Sequence, residues 1–583
     1  AEHYYLSTEP MAGVDPSWPV LEDPSCHGYY REEGGGMMVG LFEPVCAPWQ
    51  VDGVPSGFSF GTIEPDWERM TPFLERAMSR VPATLDAGVR LFFCGPESFT
   101  PDLAPIVGQA PSLDGYFVAA GMNSVGILTG GGLGRVVAQW IVDGRPDVDV
   151  TGFDVDRMHD YQLNPRYRAE RTVETLGLVY AAHVPGRQMA TARGIRRSPL
   201  HDRLAAAGAS FRDVSGWEGA DWYGPAELAA APLTWGRPAW FEHWATEHRA
   251  IREGVGLMDM AFMTKVLVQG PDAGRLLDRI SANAVVGPVG RITYTQWLDE
   301  AGRIKADLTV TRLADDRFLV VASDTARGHV LAWLRRNTGE LRATSTDVTS
   351  GLAQINVHGP RSRELVQRLT SADLSDDAFA YRTAREIDLG LARPLAVRVN
   401  YVGELGYELY LPTEQSVIAY EALVEAGADL GLRHAGLRAL GSLRLERGYR
   451  DFGHDIDNTD IVTQAGLAFA VALDKPGGFV GREAVARQVQ AGPPRRRLVQ
   501  VLVADPEPLM HHGELVLRDG VEVGYVRAAS YGHTLEGAVG LAMVAGPEAV
   551  TADWIAAGTW QVDIAGVRYP ASASLRPMYA GTC

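Results

Sequence analysis

Hydrophobic and polar positions alternate most regularly in GRIKADLTVTRL, residues 302–313. Ile304, Ala306, Leu308 and Val310 fall on one face of an extended strand; Asp307, Thr309 and Thr311 fall on the other. Asp is depleted from strands, so Asp307 is either a solvent-facing residue or a carboxylate aimed into a pocket. Two further stretches, VLVQGPDAGRLLDRI (266–280) and INVHGPRSRELVQRL (355–369), each read as an apolar strand, a Gly-Pro and a helix with leucines at helical spacing. Proline suits the fixed φ of a first helical turn. The pair predicts an internal repeat, two related α+β halves in one domain. Helical spacing also predicts a helix from Trp240 that carries Trp244, Ile251 and Val255, and one over 436–450 with Leu437, Leu440, Leu443 and Leu445.

Elsewhere the pattern changes. Residues 1–152 mix short strands with Gly/Pro turns and end in a strand (Tyr116–Ala120), a Gly-rich bend and a helix from about Gly131 to Val142. Residues 153–235 are rich in Arg and Pro, with helices near Pro165–Tyr180 and Pro199–Ala207. After AGPPRRR (491–497) short strands take over, and Asp519-Gly520 in LVLRDGVEVGYV marks a hairpin turn. The division expected is 1–152, 153–235, 236–490 and 491–583, the last a small β-barrel.

Composition narrows the function. A formal charge of −18 argues against a sequence-independent grip on nucleic acid. The four cysteines lack CxxC spacing and read as free thiols in a reducing compartment. No apolar run approaches the ~18 residues of a membrane span, and no signal-peptide pattern stands at the start. No membrane partner is expected. Lys265, Lys305 and Lys475 are the only lysines among 54 basic residues, a usage that suggests a GC-rich bacterial genome and so a bacterial cytoplasmic location. AEHYYLSTEP opens without Met and like a strand inside a domain, as if cut from a larger chain. No metal site is expected: His243 and His248 are five apart rather than four, and the remaining His and Cys residues lack ligand spacing. TGGGLGR fails the GxGxxG pattern. DFG (451–453) lacks its kinase contexts.

The other candidate for chemistry is NYVGELGYELY (400–410). Gly403 and Gly406 mark a bend, and Glu408 should share a face with Tyr410 and, depending on that bend, Tyr401. A carboxylate beside an aromatic ring suits a flat heterocycle with an N–H/NH₂ edge. A hairpin with exposed acids is the alternative.

This stretch, with AGLRALGSLRLERGYRDFGHDI (435–456) and YTQWLDEAGRIKADLTVTRL (294–313), resembles the tetrahydrofolate-binding module of the glycine-cleavage T protein. The resemblance implies that Tyr294 and Asp307 line the folate site, Asp307 near the nitrogen that receives the one-carbon unit, and that Tyr401 and Glu408 hold the pterin. Upstream, YYREEGGG, GPESFTPDLAPIVGQAP, RGIRRSPLHDRLAAAGASF and GWEGADWYGP resemble dimethylglycine dehydrogenase, sarcosine dehydrogenase and dimethylglycine oxidase. Those enzymes fuse an FAD amine-oxidising half to a folate half.

The fold implied is α+β and multidomain. A partial FAD-oxidoreductase domain of the D-amino-acid-oxidase type comes first, with a connecting middle domain; a T-protein-like folate domain and a C-terminal barrel follow. Pro101, Asp102, Gly121, Asn123, Ser124, Gly126 and Ile127 would lie against the flavin. His3 and Tyr29 would face the substrate amine. The activity implied is oxidative demethylation of an N-methyl amino acid of the dimethylglycine or sarcosine type. Its one-carbon unit would go to tetrahydrofolate as 5,10-methylenetetrahydrofolate, and its electrons to oxygen or an electron-transfer protein. The family's strand–GxGxxG–helix that grips the FAD pyrophosphate is missing from the sequence, so FAD retention is in question. Leu440-Gly441 stands where T proteins carry Arg-Asp. A flavin-independent folate-dependent transferase and a non-catalytic folate-binding module are the alternatives.

Overall fold

In the computed structural model, which describes residues 1–581, the alternating stretch is the strand Ile304–Ala314. It belongs to a five-stranded sheet in the order Ile292–Leu298, Ile304–Ala314, Arg317–Ala322, Thr264–Gln269, Thr344–Asp347. Its apolar face, with Val266, Ala306, Leu308, Val310, Phe318 and Val320, packs on Leu276, Leu277 and Ile280 of one helix and on Val330 and Leu334 of another. A second sheet of six strands contains Gly406–Pro412 beside Leu352–His358 and Gly256–Asp259. Its Ile355, Val357, Tyr407, Leu409 and Leu411 pack on Leu365 and Val366 of helix Ser362–Gln367 and on Ala419 and Leu423 of helix Ser416–Gly427.

Period-two alternation then turns the remaining faces of the two sheets toward each other. Ile292, Leu319 and Val321 of the first sheet pack there on Val397 and Tyr410 of the second. The two strand–Gly-Pro–helix stretches therefore fold alike, one in each sheet. Gly270 and Gly359 have φ of 128° and 122°, and a Cβ on either would come within 2.4 Å of a backbone carbonyl. Only glycine fits there.

The chain after 495 closes into a six-stranded barrel, Arg496–Val503, Gly537–Ala545, Val521–Gly532, Leu515–Arg518, Trp560–Ile564, Val567–Ser574. Asp519 and Gly520 both have positive φ, as a two-residue primed hairpin turn requires. The helix expected from Trp240 to Val255 runs Phe241–Glu253. Gly254 ends it, and Val255, fully buried, leads into the next strand.

Charge ties these parts together. Arg252 Nη2 donates to Glu446 at 2.8 Å and Nη1 to Glu404 at 3.0 Å. Tyr579 donates to Glu404 at 2.6 Å, and the backbone N–H of Thr534, in the barrel's hairpin, donates to Glu446 at 2.8 Å. Burial alone would push the Glu446 carboxyl up, but His248 and Arg252 overcome it and hold it at about 2.

These elements form one compact unit from Gly194 onward; Ala1–Arg193 form another. In that unit a five-stranded antiparallel sheet, Leu21–Asp23, Gly28–Glu33, Gly36–Leu41, Glu2–Thr8, Val89–Pro96, covers Met70 and Leu74 of helix Trp67–Met78. The bend after Ala120 is shorter than expected: the helix begins at Gly126 rather than at about Gly131 and spans Gly126–Asp143. Glycine disfavours helix by about 1 kcal/mol per residue. Here left-handed Asn123 and Ser124 make the turn instead, and Val136 and Trp140 anchor the helix. The fold is α+β and multidomain, ending in a small β-barrel. Among the described residues no helix is long and apolar enough to cross a membrane.

Arg252→Leu leaves Glu404 and Glu446 buried without their cation, which costs about 3–5 kcal/mol. Urea unfolding followed by near-UV circular dichroism should show a loss of that size, partly recovered when Glu446→Leu is added.

Candidate functional site

The polar residues of the first sheet sit on its inward face. Register places Gln296 directly opposite Asp307 and Tyr294 opposite Thr309, so Tyr294, Gln296 and Asp307 share that face. The thirteen-residue spacing of Tyr294 and Asp307 is a hairpin diagonal. Gln296 Nε2 donates to Asp307 Oδ1 at 2.8 Å, and the Tyr294 hydroxyl also hydrogen-bonds the carboxylate. Burial raises the Asp307 carboxyl to about 7; the bonds from Gln296 and Tyr294 oppose this, and Asp451 and Asp455 reinforce it. Asp307 and Tyr294 keep some accessible surface between fully buried strand neighbours. They line a recess rather than fill a core. Tyr401, also half-buried, hydrogen-bonds the Arg450 carbonyl and stacks on Tyr449 at 5.6 Å, and its hydroxyl feels the Asp307 charge.

The second sheet supplies Glu408. Its carboxylate accepts from Tyr410 at 2.6 Å, and burial lifts it to about 7, against the pull of Tyr410 and Lys265. Lys265, fully buried, enters from the first sheet and donates to the carbonyls of Ala261 at 3.0 Å and Met263 at 2.7 Å. Burial lowers its ammonium to about 7.

The structure thus brings Asp307, Tyr294 and Tyr401 together and sets Glu408 on the facing sheet. Sequence reasoning missed Gln296, Lys265, Asp451 and Asp455. Lys265 had a signal, a lone charge in the apolar run MTKVLV. Asp451 lies in the discarded DFG triplet.

In the first unit, His3 and Tyr29 meet on one sheet face, ring centroids 6.3 Å apart, both against Phe42. A Cβ on Gly40 would fall 1.8 Å from the Tyr29 ring, so Gly40 cradles that ring. His3 Nδ1 hydrogen-bonds Glu97, which also accepts from Ser124 at 3.0 Å; His3 Nε2 is buried without a partner. Asn123 accepts from the Thr100 N–H at 2.8 Å and donates to the Gly121 carbonyl at 2.9 Å, which fixes the turn 121–124. A side chain on Gly121 would strike Thr100. Gly126 begins the helix, and Ile127 beside it is fully exposed. Asp102 is held by Arg157 at 2.7 Å, and the Pro101 carbonyl accepts from Arg171 at 3.3 Å. Pro101 and Asp102 are thus structural anchors of their loop, whereas His3, Ser124 and the 121–124 turn form one cluster.

Comparison with known proteins agrees with this layout. Residues 200–475 match the GCVT N-terminal domain and residues 496–580 the glycine cleavage T-protein C-terminal barrel domain. Residues 1–140 match the FAD dependent oxidoreductase family and residues 143–198 its central domain. The chain is 41% identical to 4-methylaminobutanoate oxidase (formaldehyde-forming) of Paenarthrobacter nicotinovorans, over 99% of this chain and 69% of that protein. It is 33% identical to the mitochondrial sarcosine dehydrogenase of Homo sapiens, over 98% and 67%. Glycine cleavage system aminomethyltransferase T from Bartonella henselae shares the fold of the second unit, with a TM-score of 0.56 at 24% identity, covering 67% of this chain and 99% of that one.

The Asp307 carboxyl, raised by burial, is protonated below about pH 7 in the folded protein and below about pH 4 when unfolded. The folded state therefore binds the extra proton, and stability falls as pH rises through that window. Asp307→Asn mimics the neutral form. Thermal unfolding should show the variant gaining on the wild type between pH 5 and pH 8.

Proposed function

Because this chain belongs to the family that joins an FAD-dependent amine oxidoreductase to a T-protein-like folate domain, we propose that it oxidises an N-methyl amino acid and passes the one-carbon unit to tetrahydrofolate. The observation that carries this reading is the Asp307 carboxylate on the inward face of the first sheet, opposite and bonded to Gln296 and beside Tyr294, where burial raises it to about 7. FAD, when bound, would supply the hydride acceptor for oxidation of the N-methyl group, and tetrahydrofolate, when bound, would supply the amine that takes up the one-carbon unit before water could release it as formaldehyde.

The chain's own residues then have distinct tasks. In the first unit His3, tied through Nδ1 to Glu97, keeps Nε2 for a substrate or flavin atom, with Tyr29 beside it. The turn through Gly121, Asn123 and Ser124 and the helix that starts at Gly126, with exposed Ile127 beside it, would hold the flavin ring through backbone N–H groups and a glycine-rich face. Pro101 and Asp102 lie in the loop after Thr100, held by Arg171 and Arg157. An unpartnered buried nitrogen and a face open to a planar group fit the ring end of FAD. Among the described residues there is no strand–GxGxxG–helix for its pyrophosphate.

In the second unit the residues fit a reduced pterin. Glu408 offers a carboxylate oxygen not used by Tyr410, Tyr401 and Tyr294 offer ring surface, and Gln296 Oε1 is buried without a partner. Asp307 takes the proton released when the folate amine bonds to carbon, a role suited to a group that titrates near the working pH. The substrate is one of sarcosine, dimethylglycine or 4-methylaminobutanoate, the last named for the 41% identical relative. Electrons leave to oxygen or to an electron-transfer protein.

The purified protein should be yellow and bleach anaerobically with at least one of these amines, and its formaldehyde release should fall when tetrahydrofolate is added. Asp307→Asn should leave bleaching intact and slow folate-dependent capture by about 10²–10⁴. A colourless protein, or one whose formaldehyde yield ignores folate in the wild type, overturns the reading.

A further inference from the structure

On the inward face of the second sheet, register sets Asn356 directly opposite Glu408 and Gln354 opposite Tyr410. The Cα atoms of opposed residues on neighbouring strands lie about 4.5–5.5 Å apart, so Asn356 and Glu408 are cross-strand neighbours on that face, close enough for one flat ligand edge to meet both. Asn356 is 2% exposed. Its Oδ1 already accepts from Gln354 Nε2 at 3.0 Å. The Asn356 NH₂ is therefore the end of that amide left to donate. Glu408 has Tyr410 on one oxygen only. Reading along that face gives acceptor, acceptor, donor.

The 2-amino-4-oxo edge of a pterin is the complement: the 2-amino group donates, N3–H donates and O4 accepts. A buried donor that finds no acceptor costs about 1–3 kcal/mol, so a ligand atom at this position matters to both partners. We propose that Asn356 is a specificity-determining residue that donates to O4 of the bound pterin, beside the two bonds accepted by Glu408. This assignment rests on the folate reading of the recess and goes beyond it, because it names the residue that separates a 4-oxo from a 4-amino pterin. The Gln354 bond couples the two side chains: turning the Asn356 amide to accept from a 4-amino group requires the Gln354 amide to turn as well, since each amide has one donor end and one acceptor end.

The test is anaerobic titration calorimetry of the full chain with tetrahydrofolate and with its 4-amino-4-deoxy counterpart. Glu408 contributes to the ratio of the two affinities in every variant, so a change made at position 356 isolates Asn356. Asn356→Asp places an acceptor against O4 and should shift the ratio by about tenfold or more toward the 4-amino ligand, a range ordinary for a site built around a hydrogen bond. Asn356→Ala, which carries no new charge, should weaken the 4-oxo ligand and leave the 4-amino ligand nearly unchanged; it decides the matter if near-UV circular dichroism shows the Asp variant misfolded. An unchanged ratio in a folded variant overturns the assignment while leaving the folate reading intact. A wild-type protein that binds neither ligand overturns both.

Discussion

The second unit depends on one constraint: each sheet spends its apolar face on its own helices, so the sheets must meet through faces that are only partly apolar. Ile292, Leu319, Val321, Val397 and Tyr410 provide enough hydrophobic contact to join them. The rest of that layer is polar and costly. Leaving one buried polar group unpaired costs about 1–3 kcal/mol, and Asp307, Glu408, Lys265 and Gln296 all lie there. Gln296, Tyr294 and Tyr410 offset part of the cost by hydrogen bonding. The remainder is carried by cores on the helix sides and by the Arg252–Glu446–Glu404 cluster, which links two helices to the barrel and to Tyr579.

That layer explains why three groups of opposite type converge on the same titration range. Burial penalises charge of either sign, so it lifts the Asp307 and Glu408 carboxyls to about 7 and brings the Lys265 ammonium down to about 7. Glu408 and Lys265 attract each other when both are charged and are nearly indifferent when both are neutral. Asp259 and Asp347 favour the charged lysine more strongly than Glu408 does. Asp307 has no cation so placed, and Asp451 and Asp455 disfavour its charge further. It is the group in the layer best suited to accept and release a proton.

How much of this was legible in the sequence follows from the range of each interaction. Alternation around Asp307 and the Tyr294 spacing are local to one hairpin, and the pairing of Glu408 with Tyr410 is local to one strand; the sequence pattern carried all three. Lys265 and Asn356 acquire meaning only when a second sheet faces the first, and no short-range periodicity records that. The dismissal of DFG as a kinase triplet was sound chemistry, yet Asp451 reaches Asp307 through a loop whose path depends on the helix before it. The bend and the helix after Ala120 were both legible, but the helix start was not: Asn123 and Ser124 make the turn in the left-handed region, so the helix begins at Gly126, about five residues earlier than the glycines suggested.

The two units also show how surroundings assign opposite roles to the same functional group. Glu97 in the first unit is buried, which would raise its carboxyl, but bonds from His3 and Ser124 win and hold it below its ordinary value. It stays ionised and pairs with His3 Nδ1, which leaves Nε2 as the buried ring nitrogen without a partner. Asp307 has neutral hydrogen-bond donors in place of an imidazole and titrates near neutrality. A permanently charged carboxylate orients; one near its midpoint exchanges protons. The division suits the two kinds of chemistry proposed for this chain: hydride removal from an amine would need a fixed geometry, and capture of the carbon would need somewhere for a proton to go.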